Sequence, residues 1–300
     1  MTQAKITITS LGTIAQQILA QAHKASVWGI TKRGVFLHIP SGWVIFLSSE
    51  PFRGPLILNS SDDTIPLQSL RPGVLVDVCG GNLHFNIPDI TVCADSAVLW
   101  SVPHRVDVSP ALLAMRFKRL ETIYQQVLTA RGKSSLVDIF SCLMSATGRG
   151  RTSNGGNLSD NLQDLLLFKQ VRNPQESTSM VSTLERFLGL GPGLTPSGDD
   201  LVLGFLLAVN RWGNLLYHSL DVQGLNRAIR QAAYRKTTLL SANLLSCVTK
   251  GQVDERLVLA MDGIMTGKPD PGTCVSHLLN WGNSSGVYAM MGMALAFMID

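Results

Sequence analysis

The chain has 300 residues, 45% of them hydrophobic and 15% charged, with a formal net charge of +4 at pH 7. That length and apolar content exclude a disordered chain and allow one large domain or two modest ones. The positive balance comes from scattered Lys and Arg rather than a run, which argues against nucleic acid as a partner and fits small anionic substrates better.

The first residues, MTQAKITITSLGTIAQQILAQ, lack the basic stretch, continuous apolar core and small-residue cleavage site of a signal peptide. The apolar runs around 201–209 and 289–299 fall short of the roughly 20 residues that a membrane span needs. A cytoplasmic protein with no membrane association is expected. The cysteines (Cys79, Cys93, Cys142, Cys247, Cys274) are widely spaced, with no CxxC pair and no Cys/His cluster. They read as reduced thiols, and no metal or cofactor is predicted.

A short amphipathic helix is expected near 11–24. Residues 26–105 then run in short blocks rich in Val, Ile, Thr and aromatics: SVWGI, GVFLHI, WVIFLS, PLILN, VLVDVC, LHFNI and AVLWSV. KRG, PSG, SSDD, RPG and CGGN separate them as turn signals. The pattern predicts a mainly antiparallel β domain over 1–106, a barrel or a sandwich. From 107 the period becomes helical, predicting a larger all-helical domain over 107–300 and an α+β fold. Ser109 is the expected N-cap of the first of these helices, with Pro110 at its first position and Gly132 at its end. Further helices are expected over 134–146, 160–170, 178–188, 199–212, 222–249, 253–266, 270–280 and 286–299.

Three Gly/Ser/Thr-rich loops each open onto an expected helix: GRGRTSNGGNLSD (148–160), GLGPGLTPSGDD (189–200) and GNSSG (282–286). Free N–H groups at a helix start, backed by the helix dipole, attract phosphate or carboxylate. None of the loops ends in GK[ST], and GLGPG follows no clear strand, so ATP and dinucleotide loops are not supported. Taken singly, the first and third loops read as tight connections. In the central loop Gly191 and Gly193 allow close backbone approach, and Thr195, Ser197 and Gly198 add donors beside Asp199 and Asp200. Ser197 or Asp199 alone suffices as an N-cap. The second acid, at the start of an apolar helix, is left partly desolvated unless a cation or ligand amide meets it. Asp199 and Asp200 are therefore the candidate catalytic residues, to orient a substrate nitrogen, act as general base or hold a metal.

A second constellation is YRKTTLLSANLL (234–245). On one helix Thr237 and Ser241 share a face four residues apart, with Thr238, Arg235 and Lys236 beside them. These hydroxyls either bond back to their own helix or, facing the glycine loops, bind an anion. Arg149, Arg151 and Arg235 are the candidate guanidinium partners, and Ser284 and Ser285 of the third loop add hydroxyls. Met290, Met291, Met293 and Met298 are expected in a core or a subunit interface.

In this order, PFRGPLILN, GLGPGLTPSGDDLVLGFLLA, KTTLLSANLL, KGQVDERL and GNSSGVYAMMGMALA resemble the AllH-like family, encoded among allantoin and purine degradation genes. In the family's last motif an Asp is expected where this chain has Tyr288. The resemblance implies one component of a multi-subunit oxamate carbamoyltransferase, which interconverts oxamate plus carbamoyl phosphate with oxalurate plus phosphate. It also implies partner subunits, in a hetero-complex or a homo-oligomer. The Ser-Thr-Arg-Thr phosphate loop of ordinary carbamoyltransferases is missing, so such chemistry here is a separate solution. Two other readings stand beside it. One is a non-catalytic scaffold subunit; the other is a metal-dependent hydrolase of small amides built on Asp199 and Asp200.

Overall fold

Nine strands, most clearly alternating in burial along β6, β7 and β8, build the first third of the chain: β1 (Ala4–Gly12), β2 (Lys24–Thr31), β3 (Gly34–Ile39), β4 (Trp43–Ser48), β5 (Ile57–Ser60), β6 (Leu75–Cys79), β7 (Asn82–Asn86), β8 (Asp89–Cys93) and β9 (Val98–Trp100). The computed structural model describes residues 4–61, 69–87, 89–131, 177–217 and 220–298. The helices expected over 134–146 and 160–170, the loop 148–160 with Arg149 and Arg151, and the Gly132 cap lie outside the described residues.

Eight strands run in the order β5-β4-β3-β2-β6-β7-β8-β1, and a further β1–β5 pairing closes the ring. The β4–β5 and β8–β1 pairings are parallel and the other six antiparallel. The result is a mixed, mainly antiparallel barrel, not a sandwich. Such a ring leaves room for side chains only. Ile8, Leu37, Ile45, Leu47, Leu58 and Phe85 are among those buried in its core. The start of β1 pairs with β8 and its end, Ser10–Gly12, with β9.

Two strands escape the sequence reading. β1 occupies residues assigned partly to a helix, and α1 begins only at Thr13 and ends at Gln21. Its AKITITS alternation is a strand signal in itself, but its partners are β5, β8 and β9, all distant in sequence. The second is β8, whose DITVC forms a strand between the expected blocks.

Among the described residues, the rest of the chain holds α2 (Pro110–Ala114), α3 (Arg116–Arg131), α4 (Ser177–Phe187), α5 (Ser197–Leu216), α6 (Val222–Lys236), α7 (Leu239–Val248), α8 (Glu255–Thr266), α9 (Pro271–Asn280) and α10 (Ser285–Met298). The architecture is α+β. Ser109 caps α2 by accepting from the Leu112 N–H, with Pro110 at the first position. The helix expected over 222–249 is two, because Thr237 is extended and Thr238 begins a new N-cap. No described helix is long and apolar enough to cross a membrane.

The chain divides into two units, Met1–His104 with Gln252–Glu255, and Arg105–Gly251 with Arg256–Asp300. Glu255 belongs to the barrel unit, where its carboxylate accepts from the Arg53 backbone N–H and guanidinium. In the helical unit α5 is the central helix. Leu201, Val202, Leu203 and Phe205 through Val209 are buried on every side of it, as expected of a helix with no solvent face. α5 crosses α10 backbone to backbone: a Cβ on Gly204 would lie 1.9 Å from the Ala289 carbonyl oxygen, and one on Gly292 1.9 Å from that of Leu201. Met290, Met291 and Met293 fill the core around this crossing. Farther along α5, Arg211 forms a two-point ion pair with Asp262 of α8, and Trp212 Nε1 donates to the same carboxylate.

Candidate functional site

Pro196 is the residue before α5 and offers no side-chain cap. Asp199 and Asp200 therefore sit inside the first turn, each only 2% exposed, and neither serves as the helix's N-cap. Their partners come from elsewhere in the chain. The Gly189 N–H donates to Asp199 Oδ1 at 2.8 Å, and the Thr237 hydroxyl donates to Asp199 Oδ2. Asp200 accepts a hydrogen bond from Ser285. Both carboxyls are pushed above the usual range, chiefly by burial. Thr237, Gly189 and Ser241 oppose the rise at Asp199, whereas Ser285 opposes and the Asp199 charge adds to it at Asp200. Asp200 reaches about 8 and is thus largely protonated at neutral pH.

The 189–196 loop is fixed at four points. Gly189 is held by Asp199, the Leu190 carbonyl accepts from the Gly198 N–H at 2.9 Å, the Leu194 carbonyl accepts from the Thr238 hydroxyl at 2.5 Å, and the Thr195 and Ser285 hydroxyls meet at 3.2 Å. Gly189 has φ +79° and its missing Cβ would stand 2.3 Å from the Lys236 carbonyl oxygen, so only glycine brings the loop this close to the α6 end. The two carbonyl anchors leave Leu190, Gly191, Pro192, Gly193 and Leu194 exposed on the outside.

These bonds bring the starts of α5, α7 and α10 together. The extended Thr237 faces Asp199, and Thr238 caps α7 while holding the loop. Ser284, exposed, accepts from the Val287 N–H at the start of α10, and Ser285 beside it faces Thr195. Three helix N-termini give the cluster positive partial charge without a guanidinium. Ser241 is 2% exposed, and its Oγ has no hydrogen-bond partner, though it lies near enough to Asp199 to favour the charged form. Ser197 is the first residue of α5, beside Gly191. Arg235 is exposed in the last turn of α6 and takes no part in these bonds, while Lys236 pairs with Glu185 of α4. Among the described residues no group of three His, Cys, Asp or Glu side chains is placed to hold a metal ion.

Sequence reasoning put Thr237 and Ser241 on one helix face. The break at 237–238 instead turns Thr237 outward from α6 and onto Asp199. The signal for it is the Thr-Thr doublet, since Thr is a good N-cap and a β-branched pair interrupts a helix cheaply.

Asp199 is the structural keystone of the loop, with both oxygens engaged. Asp199→Ala strands the Gly189 N–H and the Thr237 hydroxyl, and is expected to cost about 2–4 kcal/mol. Thermal melting followed by circular dichroism checks this, and an unchanged midpoint would contradict the assignment.

Neither a curated protein nor a solved structure matches the chain. A family model does match, over residues 187–297, from the last residue of α4 into the last turn of α10. Every site residue from Gly189 to Ser285 lies within the match, whereas the PFRGPLILN segment of the barrel lies outside it. The segment that builds this cluster thus matches the AllH family, described as oxamate carbamoyltransferase subunit AllH.

Proposed function

We propose that this chain is a carbamoyltransferase subunit acting on oxamate and carbamoyl phosphate, with its chemistry at the cluster around Asp200. The observation that carries the reading is a pair of buried carboxyls at the junction of three helix N-termini, inside the matched segment. The helix N-termini suit phosphate and carboxylate, and both substrates are anions. The exposed Ser284 hydroxyl adds a donor at the start of α10, whereas the Thr237, Thr238 and Ser285 hydroxyls are engaged by Asp199, Leu194 and Asp200 and hold the surrounding backbone in place. Gly191 and Gly193 keep side chains away from the approach to Thr195 and Ser197, while Gly198, whose Cβ would lie 2.0 Å from the Phe187 carbonyl oxygen, lets α5 start against the end of α4.

In the forward direction the oxamate amide nitrogen attacks the carbamoyl carbon, forming a C–N bond. The C–O bond to phosphate breaks, and its electron pair leaves with the phosphate. Asp200, when ionised, takes the proton from nitrogen and returns it to a phosphate oxygen. The carboxyl is thereby restored and no net proton is released. Helix N–H groups stabilise the oxyanion at the carbamoyl carbon, an effect typically worth about 3 kcal/mol per donor. Partner subunits complete the site and hold the second substrate, in keeping with the family's description as a subunit.

The test is an assay of oxalurate and phosphate formation from carbamoyl phosphate and oxamate, with the chain alone and with its partner subunits. Product in the assembled enzyme supports the reading. A complex that forms but makes no product under either condition overturns it in favour of a scaffold role.

A further inference from the structure

We infer that Thr195 is the residue that meets the substrate nitrogen, and that it passes the proton through Ser285 to Asp200. This rests on the carbamoyl-transfer reading and assigns the path by which a buried acid takes part in it. Asp200 is 2% exposed, and the hydroxyl that donates to it is that of Ser285. Asp199 has both oxygens engaged by Gly189 and Thr237. Thr195 is part-exposed, whereas Ser285 is buried at 9%. The two hydroxyls are 3.2 Å apart, and Ser285 also bonds Asp200. Three groups therefore form one line from the loop surface to the acid: Thr195, Ser285, Asp200.

The line has one direction when Asp200 is ionised. Ser285 donates to the carboxylate and Thr195 donates to Ser285, which leaves a Thr195 lone pair facing outward toward an N–H. As the C–N bond forms, the nitrogen's proton moves to Thr195 Oγ1. The Thr195 proton moves to Ser285 Oγ, and that of Ser285 moves to the Asp200 carboxylate. Each hydroxyl ends with the proton count it began with, and only Asp200 changes state. When the phosphate departs, the three transfers reverse and deliver the proton to its oxygen. The anchored loop makes the path possible, because Leu194 is tied to Thr238 and so holds Thr195 against the start of α10.

The experiment uses the complete enzyme with its partner subunits. Thr195→Val keeps the shape and removes the hydroxyl, Thr195→Ser keeps the hydroxyl, and Ser285→Ala breaks the middle link. Thr195→Val and Ser285→Ala are expected to lower kcat by about 100-fold or more with KM changed less than about threefold. Thr195→Ser should stay within about fivefold of wild type. Ser285→Ala should also move the alkaline inflection of the pH–rate profile upward, since it removes the bond that favours ionised Asp200. Wild-type kcat in Thr195→Val, or an unmoved inflection in Ser285→Ala, overturns the relay while leaving the carbamoyl-transfer reading intact. A wild-type complex that forms no oxalurate overturns that reading, and the relay falls with it.

Discussion

Asp200→Asn is expected to lose at least about 1,000-fold in turnover while melting at a higher temperature than wild type. The loss follows from removing the only carboxyl of the cluster whose oxygens are not fixed by the loop backbone and Thr237. The gain follows from linkage. The carboxyl's pKa lies near 8 in the folded chain and near 4 when unfolded, so the folded state holds a proton that the unfolded state releases. Its stabilising contribution is complete below pH 4 and is lost as pH rises through 8. Above pH 8 the folded protein carries a buried, ionised acid at a cost of roughly 5 kcal/mol. Asn removes that cost, so the melting advantage should be small at pH 5 and on the order of 5–10 °C at pH 9. A variant less stable than wild type at pH 9 would show that the Asp200 carboxylate is compensated by partners other than Ser285.

The second large effect lies at the helix crossing. Gly204→Val places a branched side chain where even a Cβ would lie 1.9 Å from the Ala289 carbonyl oxygen. Neither backbone can yield without separating α5 from α10, whose surrounding core includes Phe205, Met290 and Met293. The expected outcome is loss of at least about 3 kcal/mol, enough to leave the helical unit unfolded or molten at 37 °C. Because Ser285 rides on α10 and Asp200 on α5, any parting of the crossing also pulls the acid from its hydroxyl. Near-ultraviolet circular dichroism and amide hydrogen exchange of α5 measure this. A native-like spectrum would mean that the crossing is softer than its geometry indicates.

Much of the site is legible in the sequence, because its parts are local. The crowding of Thr195, Ser197, Asp199 and Asp200 in one loop marks more donors and acids than a cap requires, and the apolar run that follows ensures their burial. The resemblance adds the chemistry proposed for it. What the sequence does not disclose is pairing across long separations. Asp199 meets Thr237 38 residues away, and Thr195 meets Ser285 90 residues away. Periodicity speaks only of a residue's own element, so it predicts one helix over 222–249 and carries no sign of the turn that sets Thr237 on the acid. The same holds in the barrel. Its local blocks announce an antiparallel β domain, whereas β1 is secured by parallel pairing with β8 and closure onto β5, which leave no local mark.

The most direct test of the account is the pH dependence of kcat/KM for oxalurate formation by the assembled enzyme, measured from pH 6 to 10 for wild type and Asp200→Asn. kcat/KM reports the ionisation of the free enzyme's essential groups. Activity that requires ionised Asp200 rises with pH and levels off above an inflection near 8. In Asp200→Asn the residual rate should be flat across that range. A wild-type profile without an inflection between pH 7 and 9, or an Asp200→Asn rate equal to wild type, contradicts the assignment of the chemistry to this carboxyl.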